Sequence, residues 1–124
     1  MLNVVIAEPV PETRELLARL VTRRGDAPVL WLPHDGLGPD APSVVDLLLF
    51  EPLSALGRDA LAHVRTIHDH AVRVAVTVAS VVLPEDHGAD HVLVQPFSPK
   101  DLGRVIDAAL LPDELAPRAE LARG

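Results

Sequence analysis

Val44-Val45-Asp46-Leu47-Leu48-Leu49-Phe50-Glu51 is the stretch that decides the fold. Its apolar residues run on without alternation, as in a central strand of a parallel sheet covered on both faces. The run then stops at an acid. Four more strands follow from the same reasoning: Leu2–Ala7 ending in Glu8-Pro9, Pro28–Leu32, Val72–Val78 with Thr77 near its end, and His91–Val94 running into Gln95-Pro96-Phe97. Polar or turn-forming residues punctuate each strand end.

Helical periodicity separates most of these strands, which predicts βαβ units and a parallel sheet. The first helix starts near Pro11, with Glu12 and Glu15 favouring its amino-terminal dipole. Leu16, Leu17, Leu20 and Val21 form its apolar stripe, and Arg23-Arg24-Gly25 supplies a basic last turn and a stop. A helix after the third strand spans Arg58–His70 with Leu61, Val64 and Ile67 inward. The last helix is the best marked. Ser98 is its N-cap, Pro99 its first residue and Asp101 the third position, ahead of Leu102, Val105, Ile106, Ala109 and Leu110. Two connections break the pattern. Residues 33–43 hold three prolines and two glycines, and residues 79–90 hold at most one short turn around Pro84–His87. The helices expected there are shortened.

The 124 residues make one domain with 48% hydrophobic but only 2% aromatic residues, so the core is aliphatic. Net charge is −7, with no basic stripe, which argues against direct nucleic-acid binding. There is no cysteine, hence no thiol nucleophile, thiolate metal site or disulfide. No apolar run reaches the ~20 residues of a membrane span, and no leader pattern precedes the first strand. A cytoplasmic protein is expected. Ten of the eleven basic residues are arginine, a bias that a GC-rich bacterial genome produces.

Val4-Val5-Ile6-Ala7-Glu8-Pro9-Val10-Pro11 with Arg14-Glu15, then Asp46–Glu51, then Gly88-Ala89-Asp90 and Val92–Pro99 stand in fixed order and spacing. Together they resemble the response-regulator receiver domain of two-component signalling, over about residues 2–111. The resemblance implies a flavodoxin-like, doubly wound α/β fold with five parallel strands in order 2-1-3-4-5. It implies a receiver-like domain over 1–111 and a tail or linker over 112–124. In that family an acidic pair and a phospho-accepting Asp hold a Mg²⁺ ion, with a Ser or Thr and a phosphate-neutralising Lys beside them. The corresponding residues here are Glu8, Pro9, Glu51, Thr77 and Gln95, with Val92 at the switch-aromatic position. Pro9 offers no side-chain oxygen, Glu51 is one methylene longer than Asp, and Gln95 carries no charge. Phosphoryl transfer needs both metal and cation to offset developing charge, so the site reads as degenerate.

A pseudo-receiver, or atypical response regulator, is therefore expected. It would be no enzyme and would work in signal transduction or transcription control through a protein partner or homodimer, or through an effector or DNA-binding domain outside this chain. The alternatives are a small-molecule sensor using the vestigial pocket and a receiver still open to phosphorylation. No resident cofactor is expected. Mg²⁺ should bind weakly, with Glu8 and Glu51 as its only weak candidate ligands, and their repulsion should raise one carboxyl pKa. The Gln95–Pro96 bond should be cis, as in the family. Glu51 reads either as a phosphoaspartate mimic or as a solvated strand-end carboxylate. Thr77 reads also as an ordinary β-branched strand residue, and Trp31 as packing or interface. His63 and His70 share one helix face and suit a solvated surface better than a metal site. With two helices eroded, Leu30, Leu32, Val81, Val82 and Leu83 should lie near an uncovered apolar patch, unless the loops fold down over that face.

Overall fold

Parallel pairing organises every strand in the computed structural model, which describes residues 1–33, 36–38 and 41–110. Strands β1 (Asn3–Ala7), β2 (Ala27–Leu30), β3 (Leu47–Phe50), β4 (Val72–Val78) and β5 (His91–Gln95) form one sheet in order β2-β1-β3-β4-β5. Every neighbouring pair is parallel, and Ala7, Phe50 and Ala75 stand side by side across the three central strands. Helices α1 (Pro11–Arg23), α2 (Ala55–Ile67) and α3 (Pro99–Ala109) complete the described architecture.

Strand residues alternate between two buried layers because their side chains point to opposite faces. On one face Val4, Ile6, Leu49, Val74 and Val76 meet Leu17 and Leu20 of α1 and Leu102 and Ile106 of α3. On the other, Val5, Leu48, Phe50 and Ala75 meet Ala60, Leu61 and Val64 of α2. Sheet order, strands and layering agree with the sequence reading. The helix N-termini have local causes. Ser98 accepts from the Asp101 N–H while the Asp101 carboxylate accepts from the Ser98 N–H, a reciprocal cap, and Ser54 accepts from the Gly57 N–H.

Several expectations need correction. The shortened helices are absent altogether among the described residues, both between β2 and β3 and between β4 and β5. Strand β3 begins at Leu47, not Val44, because Asp46 turns its carboxylate to the Asn3 N–H at 2.8 Å and Val44 is exposed. Strand β2 ends at Leu30. Leu32 then pairs antiparallel with Gly36, folding the chain back through bonds of 2.7 and 3.0 Å. The Ser54 cap starts α2 three residues earlier than Arg58. The helix ends at Ile67, so Ile67 is 60% exposed instead of inward, and Leu16 on α1 is likewise exposed. The 112–124 tail lies outside the described residues.

The single uncovered patch is not found. Leu30 and Leu32 flank β2 at one edge of the sheet, while residues 79–90 lie between β4 and β5 at the other. Leu37, Leu83 and Ala89 pack onto the α2 layer, so the two irregular connections do fold down. Val82 stays 92% exposed and Leu30, Leu32, Val92 and Val94 partly so.

Candidate functional site

The carboxyl ends of β1, β3, β4 and β5 bring Glu8, Glu51, Thr77 and Gln95 to one end of the sheet, as parallel strands with a common direction must. Glu8 leaves β1 inward and is only 2% exposed, and its Oε2 finds no hydrogen-bond partner. Burial pushes its carboxyl up to about 7, and the nearby Glu51 charge adds to the rise. A hydrogen bond from the Val10 backbone and the Arg14 guanidinium oppose it. The expected repulsion between the two acids is thus present, but dehydration outweighs it. Pro9 is exposed beside it.

Glu51 is held by its backbone. Its N–H donates to the Ala7 carbonyl at 3.0 Å, and its own carbonyl accepts from the Ser54 hydroxyl at 3.0 Å. The carboxylate folds back to accept from the Leu53 N–H at 3.1 Å. Gly57 makes this turn possible, since a Cβ there would stand 1.8 Å from the Glu51 carbonyl oxygen. Thr77 is 6% exposed, with an unpartnered Oγ1. The Gln95 Oε1 accepts from the Thr13 hydroxyl at 3.5 Å, and the Gln95–Pro96 bond is cis. Val92 sits apart, half-exposed on β5.

The donor set does not suit a divalent cation that demands several hard oxygens. Glu8 holds its proton near neutrality, Glu51 is committed to its own turn, and Pro9 contributes nothing. No group of three or more His, Cys, Asp or Glu able to hold a metal occurs among the described residues. A cavity of about 250 Å³ neighbours the vestigial pocket, but of the five carried-over positions only Pro9 lines it, with Arg14, Pro33, Ala55, Leu56 and Asp59.

Sequence reasoning missed Thr13 and Gly57, and it missed a chain of rings. Trp31 and His63 lie 5.2 Å apart between centroids, His63 and His68 5.8 Å, and His68 and His70 6.4 Å. His68 is 6% exposed, and burial, then His63 and His70, lower its pKa. No spacing rule joins residue 31 to 63. The helix end that folds His68 inward has no sequence marker.

No protein-family model matches this chain, and no curated protein matches it significantly. Solved structures do. A response regulator receiver protein from Burkholderia phymatum is similar at a TM-score of 0.70 and 16% identity, over 89% of this chain and 95% of its own. The response regulator TrrA of Thermotoga maritima, solved in complex with the histidine kinase ThkA, gives 0.69 at 18% over 90% and 100%. An orphan response regulator of H. pylori, HP1043, gives 0.66 at 18% identity over 89% and 97%. The fold is the receiver fold. Glu51 directly follows β3, at the carboxyl end of the sheet. No described helix is long and apolar enough to cross a membrane.

Proposed function

We propose that this chain is a receiver-fold signalling module that acts through protein contacts without phosphoryl transfer. The observation that supports this best is the set of partners at the strand ends. Gln95 stands where receivers place Lys and meets a neutral hydroxyl, Thr13. Glu8 is a buried acid without a partner on Oε2, and the nearby Arg14 guanidinium is turned to the Glu8 backbone carbonyl at 3.5 Å. Phosphoryl transfer relies on fixed positive charge around the moving group, and these residues supply too little. In this reading the protein is not an enzyme and keeps no resident cofactor. Its working partner is a protein, as for TrrA, which has been solved with a kinase.

The test is incubation with a small acyl-phosphate donor and Mg²⁺, followed by intact mass. No phosphate adduct is expected. A stable adduct mapping to Glu51 would overturn the reading. Calorimetric titration with Mg²⁺ at neutral pH should show no tight binding.

A further inference from the structure

We infer that the cleft between α2 and the turn at residues 84–87 binds a small, multiply charged oxyanion, either a phosphate compound or a dicarboxylate. The inference goes beyond the reading above and does not depend on it. The cleft encloses about 300 Å³, at the lower end of small-molecule sites, and its lining includes Leu53, Arg58, Arg65, Pro84, Asp86 and His87.

Its charge is out of keeping with the molecule, whose net charge is −7. Arg58 and Arg65 lie seven residues apart on α2, hence on one face and about 10 Å apart along the axis. Among the described residues the ion pairs involve Arg24 and Arg104, and neither Arg58 nor Arg65 meets a carboxylate. Two unengaged guanidiniums opening into one cleft suit oxygen anions, which they grip through paired N–H donors. His87 adds a third donor. Its Nδ1 accepts from the Ala89 N–H at 3.0 Å, so in the neutral ring the proton sits on Nε2.

The opposite wall is built for close approach. Gly88 has a φ of +82°, and a Cβ there would come within 2.8 Å of a Leu61 methyl. Glycine therefore lets the turn settle on α2, and Leu83 anchors the same segment in the α2 layer. The missing helix between β4 and β5 leaves this turn in its place. Asp86 also lines the cleft and opposes an anion, but Arg58 and Arg65 outnumber it, and their net attraction grows with the ligand's charge and so favours a dianion over chloride. The cleft begins at Pro52 and Leu53, directly after Glu51, so a bound anion would lie beside the turn between β3 and α2.

The ¹⁵N-labelled chain titrated separately with inorganic phosphate and with succinate, at ionic strength held by NaCl, tests this. Saturable amide shifts at Leu53, Arg58, Arg65 and His87 are expected with at least one of the two, and which one saturates identifies the ligand class. Arg58→Ala with Arg65→Ala should weaken binding about tenfold or more, since each removes charge-assisted hydrogen bonds. Asp86→Asn should tighten it severalfold, and Arg104→Ala should leave it unchanged. Both arginines are exposed, and a spectrum unchanged away from the cleft verifies the variant's fold. Absence of saturation with both anions overturns the inference. So do shifts that NaCl reproduces or that survive the double substitution.

Discussion

Glu8 is the residue whose chemistry departs furthest from its ordinary state. A carboxyl with a pKa of about 7 instead of 4.5 is largely ionised at pH 8 in the native chain, although it is almost wholly buried. At 1.36 kcal/mol per pH unit, that burial costs roughly 3 kcal/mol in alkaline solution. Glu8→Gln keeps the shape and removes the charge. The variant should be more stable than the parent at pH 8 by about 2–3 kcal/mol, read from urea midpoints, with the advantage shrinking towards pH 5. Equal midpoints for the two proteins at pH 8 would show that water or a counter-charge reaches the carboxylate. The sequence displayed Glu8 as an acid at a strand end and Glu51 as its neighbour. It could not display the dehydration, which depends on layers contributed by distant segments.

At the scale of elements, Gly57 decides where α2 begins. The Glu51 carbonyl lies where a side chain at 57 would project, so Gly57→Ala forces the β3–α2 turn and the helix apart. Backbone strain of this kind belongs with the larger single-site effects, and a loss of about 2–4 kcal/mol is expected in chemical denaturation. The cap of α3 gives a milder comparison. Ser98→Ala removes one half of the reciprocal cap and should cost about 1 kcal/mol. A Gly57→Ala protein as stable as the Ser98→Ala protein would mean that the turn relaxes freely. These two starts also show why elements differed in legibility. Ser98-Pro99-Lys100-Asp101 announces its helix, because cap chemistry is local. Ser54 caps α2 without an acid in its first turn, so the sequence pattern placed that start too late. The strands and their order were readable from apolar runs and family spacing. Loss of both crossover helices was only half readable. Prolines and glycines ruled out long helices there, but the return of Leu32 to Gly36 and the seating of Leu83 on α2 are tertiary contacts.

On the scale of the whole molecule, the two buried titrating groups among the described residues, one raised and one lowered in pKa, pull stability in opposite directions. Glu8 has a raised pKa, so the native state takes up its proton first as pH falls through about 7. Its contribution therefore grows on acidification and is complete below about 4.5, the unfolded value. His68 has a lowered pKa, so the unfolded chain protonates first, below about 6.5. Its contribution is present above that pH and is lost as pH falls through the native value. Acidification from pH 8 should thus stabilise the fold as Glu8 takes up its proton, and the gain should flatten below about pH 6.5, where the opposing loss from His68 sets in. Screening by salt will blunt the histidine contribution less than surface charge effects, because His68 is buried. Urea unfolding at half-unit pH steps provides the profile. Glu8→Gln should remove the rise and lay bare a loss below about pH 6.5, whereas His68→Gln should let the rise continue towards pH 4.5. If one substitution removes both effects, the two groups are coupled through the sheet. A profile untouched by either would assign the pH dependence to the exposed carboxylates of this acidic chain.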